Sequence, residues 1–170
     1  MTDLLITGIG HLTTNVGEAI RKAAVAIDGE LITFAGSESD APGVGSGRHL
    51  DADGSGVIPG FVDAHTHLVF AGDRADEFAA RLGGVSYAEI AASGGGILST
   101  VTATRMEPEE TLFALAAARA SRMLRAGTTT IEIKSGYGLD PETELRLLRV
   151  AQRVGEELPI TVKSTFLGAH

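Results

Sequence analysis

Two histidines separated by one residue, His65 and His67, are the side chains in this sequence best suited to chemistry. They end an apolar, β-branched run over residues 57–67 that contains a Pro-Gly pair, and this pattern predicts a buried strand. Side chains alternate faces along a strand, so Asp63, His65 and His67 are expected to share one face. Neutral imidazole is a good ligand for zinc, iron and nickel. The pattern favours a metal site at the strand end over two unrelated polar histidines.

The composition indicates a folded protein whose metal ligands are limited to a few residue types. The chain has 170 residues, the length of one domain or of one small domain plus part of another. It is 44% hydrophobic and 21% charged, which predicts a packed core. There is no cysteine, so any metal must be held by histidine and carboxylate.

Charge and hydropathy argue against two classes of partner. The net charge is −8 and no cluster of lysine and arginine occurs, which argues against a nucleic-acid partner. The first residues lack a basic leader, and no segment has the apolar length needed to cross a bilayer. We therefore expect a soluble, cytoplasmic protein with no membrane partner.

The N-terminal portion predicts a small β unit. Strand-like pieces occupy residues 4–7, 23–27 and 31–34, and an Asp-Gly pair between the last two indicates a hairpin. Residues 36–56 are rich in Ser, Asp, Gly and Pro and are expected to form a flexible loop, because their glycines lack the Gly-Lys-Ser/Thr ending of a phosphate loop. His11 and His49, in these regions, are interpreted as ordinary surface or loop residues.

Alternating strands and helices follow the histidine pair. A helix is expected from about residue 107 to Gly127, with arginines towards its end and an apolar stripe of Phe113, Ala116, Ala117, Ala120 and Leu124. A strand over residues 128–134 places Glu132 and Lys134 on one face. Buried charges need partners, so these two either neutralise each other or serve a site.

A second helix and a third strand complete the pattern. Asp140 caps the helix and Pro141 occupies its first turn, with an apolar stripe of Leu147, Val150, Ala151 and Val154. The strand covers residues 160–167 and is followed by His170. Short connections between alternating elements predict a parallel sheet with functional residues at its strand ends. Three strands alone are compatible with either a (β/α)₈ barrel or a doubly wound sheet.

Two further segments could contact a ligand. Arg74 follows the first barrel-like strand, and its planar guanidinium suits a carboxylate or phosphate; by spacing alone, a surface ion pair with Asp73 or Asp76 is the better interpretation. Residues 93–97 contain three successive glycines and predict a turn that either approaches a ligand or only connects elements.

Several separated motifs resemble one enzyme family. Residues 59–67 resemble the first-strand signature of the amidohydrolase superfamily, metal-dependent hydrolases with a (β/α)₈ barrel beside a small β-sandwich. Residues 67–74, 94–97, 134–139 and 164–170 are similar to the imidazolonepropionase family of histidine degradation. The resemblance extends from the Asp-Gly hairpin to the last residue.

The resemblance implies a fold and a reaction. Residues 1–56 would be the N-terminal part of a composite β-sandwich, and residues 57–170 the first three βα units of a TIM barrel. His65 and His67 would hold one zinc or iron ion for the hydrolysis of 4-imidazolone-5-propanoate to N-formimino-L-glutamate. Arg74 would bind the substrate carboxylate, and Tyr137 and His170 would bind its ring and side chain by hydrogen bonds.

The length of the chain departs from that family. About three of eight barrel strands are present, so a third histidine, an aspartate ligand and the acid/base carboxylate are all expected beyond residue 170. We therefore expect a fragment that is inactive alone and that contains no catalytic acid or base. The alternatives are another amidohydrolase, such as a deaminase or cyclic-amide hydrolase, or a non-catalytic module complemented by a second chain. The sequence leaves open whether the complete protein is a homodimer.

Overall fold

The protein folds as two compact units, Met1–Pro59 and Gly60–His170. The computed structural model describes residues 2–168. The first unit contains a short 3₁₀ helix, Glu38–Asp40, and a five-stranded sheet of β1 (Leu4–Leu12), β2 (Ile20–Asp28), β3 (Leu31–Ser37), β4 (Arg48–Asp51) and β5 (Gly56–Val57).

The sheet of the first unit is mixed. Its strand order is β3-β2-β1-β4, with β5 also pairing with β1. β2 and β3 pair antiparallel, with Asp28 opposite Leu31, and Gly29 has a φ of +59°. A tight hairpin turn requires this left-handed backbone, which glycine adopts without strain. The predicted hairpin is therefore confirmed.

Small and β-branched side chains form the core of this unit. One cluster centres on Ile9, Leu12, Ala23 and Val25, and a second contains Leu5, Ala24 and Ala26. Since neighbouring residues of a strand face opposite sides, Ala23 and Ala24 fall in different clusters. Both faces of the sheet therefore bury apolar surface.

The prediction of a flexible loop over residues 36–56 was wrong in part. The segment contains the 3₁₀ helix and β4, which pairs in parallel with β1. His11 lies in β1 and His49 in β4, and the His49 Nε2 atom is 2.7 Å from the Thr7 hydroxyl. Both histidines are exposed, as predicted, but they lie on strands rather than in loops.

The second unit is built on a three-stranded parallel sheet with helices between its strands. The sheet order is β6-β7-β8. Its elements in chain order are β6 (Phe61–Thr66), α1 (Ala75–Leu82), α2 (Tyr87–Ala92), α3 (Ile97–Met106), α4 (Glu109–Arg125), β7 (Thr128–Lys134), α5 (Pro141–Glu157) and β8 (Thr161–Thr165).

The largest core packs α4 and α5 against β7. Ile131 and Ile133 of β7 are buried, as the alternation along the strand predicts. Helical periodicity supplies the opposing surface, which consists of Leu112, Ala116, Ala120, Leu147, Val150, Ala151 and Val154. Burial of this apolar surface fixes the positions of the β7 and α5 ends, where the polar residues lie.

Local signals explain where the two long helices begin. Asp140 caps α5 by accepting a hydrogen bond of 2.8 Å from the Thr143 N–H, and Pro141 occupies the first turn. That hydrogen bond lowers the pKa of Asp140. Pro108 occupies the N-cap position of α4, and Glu109 and Glu110 follow in its first turn. These starts agree with the sequence prediction.

The sequence prediction missed three helices, α1, α2 and α3, between the histidine pair and α4. It also extended two strands too far. β6 covers Phe61–Thr66 rather than residues 57–67 and is largely exposed instead of buried, and β8 ends at Thr165. No helix in the described part of the chain has both the length and the apolar character needed to cross a membrane.

Candidate metal and substrate site

A row of four rings runs across the ends of β6 and β7. The ring centroids of His65 and His67 are 5.6 Å apart, those of His67 and Tyr137 are 5.3 Å apart, and those of Tyr137 and Phe70 are 5.8 Å apart. We call His65, His67, Tyr137 and Phe70 the ring row. Both residues predicted to bind metal and one of the three predicted to bind substrate are therefore neighbours.

The end of β6 places both imidazoles. The pairing of β6 with β7 shifts register between Asp63 and Thr66, and the Thr66 hydroxyl donates a 2.6 Å hydrogen bond to the Glu132 carbonyl. The Asp63 carboxylate accepts a 3.2 Å hydrogen bond from the His65 N–H. These bonds anchor the strand end between the two histidines.

The ring separation of the two imidazoles is close to that expected for two ligands of one metal ion. With zinc–nitrogen distances of about 2 Å, two imidazoles on one tetrahedral ion have ring centroids about 5 Å apart. The observed separation is 5.6 Å with a tilt of 58°. Within residues 2–168, no three His, Asp or Glu side chains are grouped so that they could hold a metal ion together. A catalytic zinc site uses three protein ligands and an open position.

Arg119 of α4 holds the segment that follows His67. Its guanidinium donates hydrogen bonds of 2.9 Å to the Leu68 carbonyl and 2.7 Å to the Phe70 carbonyl, and it stacks 3.7 Å from the Phe70 ring centroid. Burial lowers the pKa of Arg119, and neighbouring Arg122 adds to this effect. Arginine nevertheless stays charged, so it remains a strong donor to both carbonyls.

Glu144 of α5 holds the segment that follows β7. Its buried carboxylate accepts three hydrogen bonds from backbone N–H groups, those of Gly136 at 2.7 Å, Gly138 at 2.7 Å and Leu139 at 2.8 Å. Tyr137 lies between these donors in the sequence. A cation from one helix and an anion from the next thus fix the two segments that carry the ring row.

Glu132 and Lys134 form an ion pair on the face of β7 opposite the buried isoleucines. Lys134 Nζ lies 2.6 Å from Glu132 Oε1, and the Thr165 hydroxyl donates to the same oxygen at 2.6 Å. The hydrogen bond from Lys134 is the largest cause of a lowered pKa for Glu132, followed by that from Thr165; His65 contributes a small electrostatic effect. The pairing of these two charges, one of the two predicted outcomes, is therefore observed.

The structure places Arg74 at the N-cap position of α1. Its exposed side chain lines a cavity of about 290 Å³ together with Glu77, Tyr87 and other residues of α1 and α2. Neither Asp73 nor Asp76 forms an ion pair with Arg74 in the described part of the chain. His170, also predicted to bind substrate, lies outside the described residues.

Three residues of this region were not predicted from sequence: Phe70, Arg119 and Glu144. Phe70 follows the strand in irregular backbone, so no periodicity identifies it. The two charged residues could have been found, because Glu144 precedes the buried Leu147 by three positions and Arg119 follows the buried Ala116 by three. A charged residue on the apolar stripe of a helix needs a buried partner.

The fold and the site define an α/β protein that presents imidazoles and a tyrosine at the ends of parallel strands. Comparison with known families agrees with this class: the sequence model of the Amidohydrolase family matches residues 57–152, more than half of the chain. The chain belongs to the amidohydrolase family.

Curated relatives are similar over most of this chain. The imidazolonepropionase of Pseudomonas entomophila (strain L48) is 56% identical over 151 residues, covering 89% of this chain and 38% of the relative. That of Yersinia pseudotuberculosis serotype O:1b (strain IP 31758) is 52% identical over 170 residues, covering 99% and 42%. The chain thus spans about two fifths of the length of these relatives.

Solved structures show the same fold at low sequence identity. Atrazine chlorohydrolase from Arthrobacter aurescens TC1, complexed with zinc, matches with a TM-score of 0.61 and 19% identity, over 96% of this chain and 35% of that one. N-isopropylammelide isopropylaminohydrolase from Burkholderia multivorans matches with a TM-score of 0.59 and 22% identity, over 99% and 38%.

Proposed function

We propose that this chain is the N-terminal part of an imidazolonepropionase. The reaction is hydrolysis of the ring amide of 4-imidazolone-5-propanoate to N-formimino-L-glutamate in histidine degradation. Water adds to the ring carbonyl carbon, the ring C–N bond breaks, and the departing nitrogen takes a proton. Support comes from relatives of that name at 51–56% identity, together with the ring row that joins His67 to Tyr137.

We also propose that both units are parts of larger domains. The second unit is interpreted as the first three βα units of a (β/α)₈ barrel, because its three strands are parallel and connected through helices. Residues 1–56 are interpreted as part of a composite β-sandwich. In a barrel the active site lies at the carboxyl ends of the strands, which is where the ring row lies.

The proposed metal is one zinc or iron ion, with His65 and His67 as two of its ligands. Their centroid separation of 5.6 Å supports this role, as does the zinc in the solved atrazine chlorohydrolase. Such an ion lowers the pKa of a water molecule so that hydroxide is available near neutral pH. The remaining ligands and the acid/base carboxylate would come from beyond residue 170.

The substrate contacts are assigned to three residues. Tyr137 would donate a hydrogen bond to the ring of the substrate, since it lies beside His67. Arg74 would pair with the propionate carboxylate, for which its planar fork is suited, and its exposed side chain is accessible to a ligand. His170 would complete the contacts to the substrate.

Two other functions compete with this one. A deaminase or another cyclic-amide hydrolase would share the histidine pair, but it would not need Arg74 together with Tyr137 and His170. A non-catalytic module completed by a second polypeptide is the alternative from another class.

A fusion enzyme tests the proposal. The chain is joined to the C-terminal remainder of the imidazolonepropionase of Pseudomonas entomophila, and the product is assayed on 4-imidazolone-5-propanoate, other cyclic amides and a panel of nucleobases. We expect metal-dependent opening of the imidazolone ring, abolished by His67→Ala and retained in the exposed-site control His49→Ala. Preferential turnover of a nucleobase or a different cyclic amide would refute the assignment.

A further inference from the structure

The burial of the Glu144 carboxylate needs a physical explanation. The residue is 1% exposed, and within residues 2–168 it makes no ion pair with a cationic side chain. Its charge is compensated by three backbone N–H groups at 2.7–2.8 Å and by its position in the first turn of α5. An apolar residue at this position would extend the stripe that begins at Leu147.

The three donors lie on both sides of Tyr137. Oε2 accepts from Gly136, and Oε1 accepts from Gly138 and Leu139. The segment has left-handed backbone at Gly136, with a φ of +123°, and at Leu139, with a φ of +55°. Such conformations persist when surrounding contacts hold them, and the carboxylate provides those contacts.

Close packing restricts the segment further. A Cβ atom at Gly138 would lie 2.7 Å from the Glu144 backbone nitrogen and 2.9 Å from Oε1, so only glycine allows the carboxylate to reach this backbone. Arg105 adds one contact from α3, a 2.6 Å hydrogen bond to the Gly138 carbonyl, but its side chain is 44% exposed. Glu144 is therefore a buried restraint on both sides of Tyr137.

We propose that Glu144 is a positioning residue that fixes the Tyr137 ring beside His67. This inference rests on the proposed function, in which Tyr137 binds the substrate. The carboxylate accepts hydrogen bonds from the backbone of residues 136–139 and so sets the path of this segment, and that path determines where the Tyr137 hydroxyl points.

The substitution Glu144→Gln tests the role of the charge at constant size. One glutamine oxygen can replace one carboxylate oxygen, but the amide NH₂ cannot accept a hydrogen bond, so it cannot serve the N–H groups on both sides of Tyr137. Glu142→Gln is the matched control, because Glu142 is exposed in the first turn of the same helix.

The first readout is nuclear magnetic resonance of the 170-residue chain. For Glu144→Gln we expect amide exchange at Gly136, Gly138 and Leu139 to accelerate about tenfold or more, as loss of a charge-assisted hydrogen bond implies, and contacts between the Tyr137 and His67 rings to weaken. If this variant unfolds, Glu144→Asp, which keeps the charge with a shorter reach, should give an intermediate acceleration. Exchange and ring contacts equal to those of Glu142→Gln would overturn the proposal.

The second readout is the kinetics of the fusion enzyme. Misplacing a substrate-binding tyrosine removes binding that is shared by ground and transition states, so Glu144→Gln should raise KM about tenfold and change kcat about twofold or less. A lower kcat at unchanged KM would contradict a role in substrate positioning. An unsubstituted fusion that fails to open the imidazolone ring counts against the proposed function alone, and the exchange measurement then decides the role of Glu144.

Discussion

Glu132 shows how a charged residue on the polar face of an α/β sheet is stabilised. Its carboxylate receives hydrogen bonds from Lys134 and Thr165, which hold its pKa below the ordinary value. A carboxyl with a lowered folded-state pKa stabilises the protein above its unfolded-state pKa, and this contribution is lost as the pH falls through the folded-state pKa. The stabilisation that this ion pair provides is therefore expected to decrease as the pH becomes acidic.

Lys134→Met should reveal this linkage. Removing the ammonium lets the pKa of Glu132 rise, so the variant should unfold at lower urea concentration than the parent at pH 7. The difference should shrink as the pH falls below about 4.3, the ordinary pKa of glutamate, and through the folded-state pKa. Urea midpoints at pH 7 and pH 3 provide the measurement. Lys163→Met, at an exposed position of β8, is the control, and a difference independent of pH would contradict the linkage.

We expect Arg74 to bind the substrate carboxylate through the positive charge and the planar geometry of its guanidinium. In the fusion enzyme, Arg74→Gln should raise KM for 4-imidazolone-5-propanoate about 10- to 100-fold, because a charge-assisted hydrogen bond contributes about 1.5–3 kcal/mol. Arg122→Gln, an exposed arginine of α4, should leave KM unchanged. Equal effects of the two substitutions would remove Arg74 from the substrate site.

Among the elements, α4 and α5 do more than cover the sheet. Each supplies one charged residue to the strand end beside it: Arg119 binds carbonyls after β6, and Glu144 binds N–H groups after β7. Irregular backbone leaves such groups without partners from regular secondary structure. Packing of the two helices on β7 thereby determines the geometry of both segments that carry the ring row.

Arg119→Met tests the contribution of α4. The substitution keeps an apolar stem but removes two hydrogen bonds from a partly buried cation, so we expect the free energy of unfolding to fall by about 2 kcal/mol. The exposed control Arg122→Met should change it by about 0.5 kcal/mol or less. Denaturant unfolding of the two variants measures the difference, and equal stabilities would show that the carbonyls are satisfied without Arg119.

The elements that could be predicted are those with a strong local signal. β7 was predicted with the observed bounds because Ile131 and Ile133 alternate with polar residues, and α5 was located by its Asp-Pro start. α3 was missed because the residues it buries include Thr100 and Thr104, which neither favour a helix nor mark an apolar stripe. Their burial depends on tertiary contacts, such as the hydrogen bond from the Ala71 N–H to Thr104 Oγ1.

β4 was missed for a related reason. All four of its residues are exposed, so its sequence has no buried alternation, and only pairing with β1 defines it as a strand. The residues of the candidate site divide in the same way, into those with a local sequence signal and those defined by tertiary contacts. The spacing of His65 and His67 made them candidates, whereas the contact of Phe70 with Tyr137 and the hydrogen bonds of Arg119 to the Leu68 and Phe70 carbonyls join residues far apart in sequence. Such contacts cannot be read from one local pattern.

At the scale of the whole chain, the second unit has apolar side chains on and beside its sheet that are more than half exposed among the described residues. Phe61 is 54% exposed and Val62 is 68% exposed on β6, and Phe166 after β8 is 58% exposed. Both β6 and β8 are edge strands in the described sheet. Exposed edges and apolar side chains favour association with further strands. The proposed remainder of a barrel would pair with both edges.

Complementation by a separate polypeptide tests this expectation together with the metal site. Two histidines fall short of the three ligands that a catalytic zinc site requires, so the isolated chain should bind zinc weakly and should not hydrolyse 4-imidazolone-5-propanoate. Mixed with the C-terminal remainder of the Pseudomonas entomophila relative, it should form a complex that holds stoichiometric metal. Size-exclusion chromatography with metal analysis of each component and of the mixture measures both properties, and His65→Ala should abolish metal retention without preventing assembly.

Zinc-dependent turnover by the chain alone would contradict the need for further ligands. Assembly that fails with the unsubstituted chain would show that the exposed edges of β6 and β8 do not pair with the rest of a barrel.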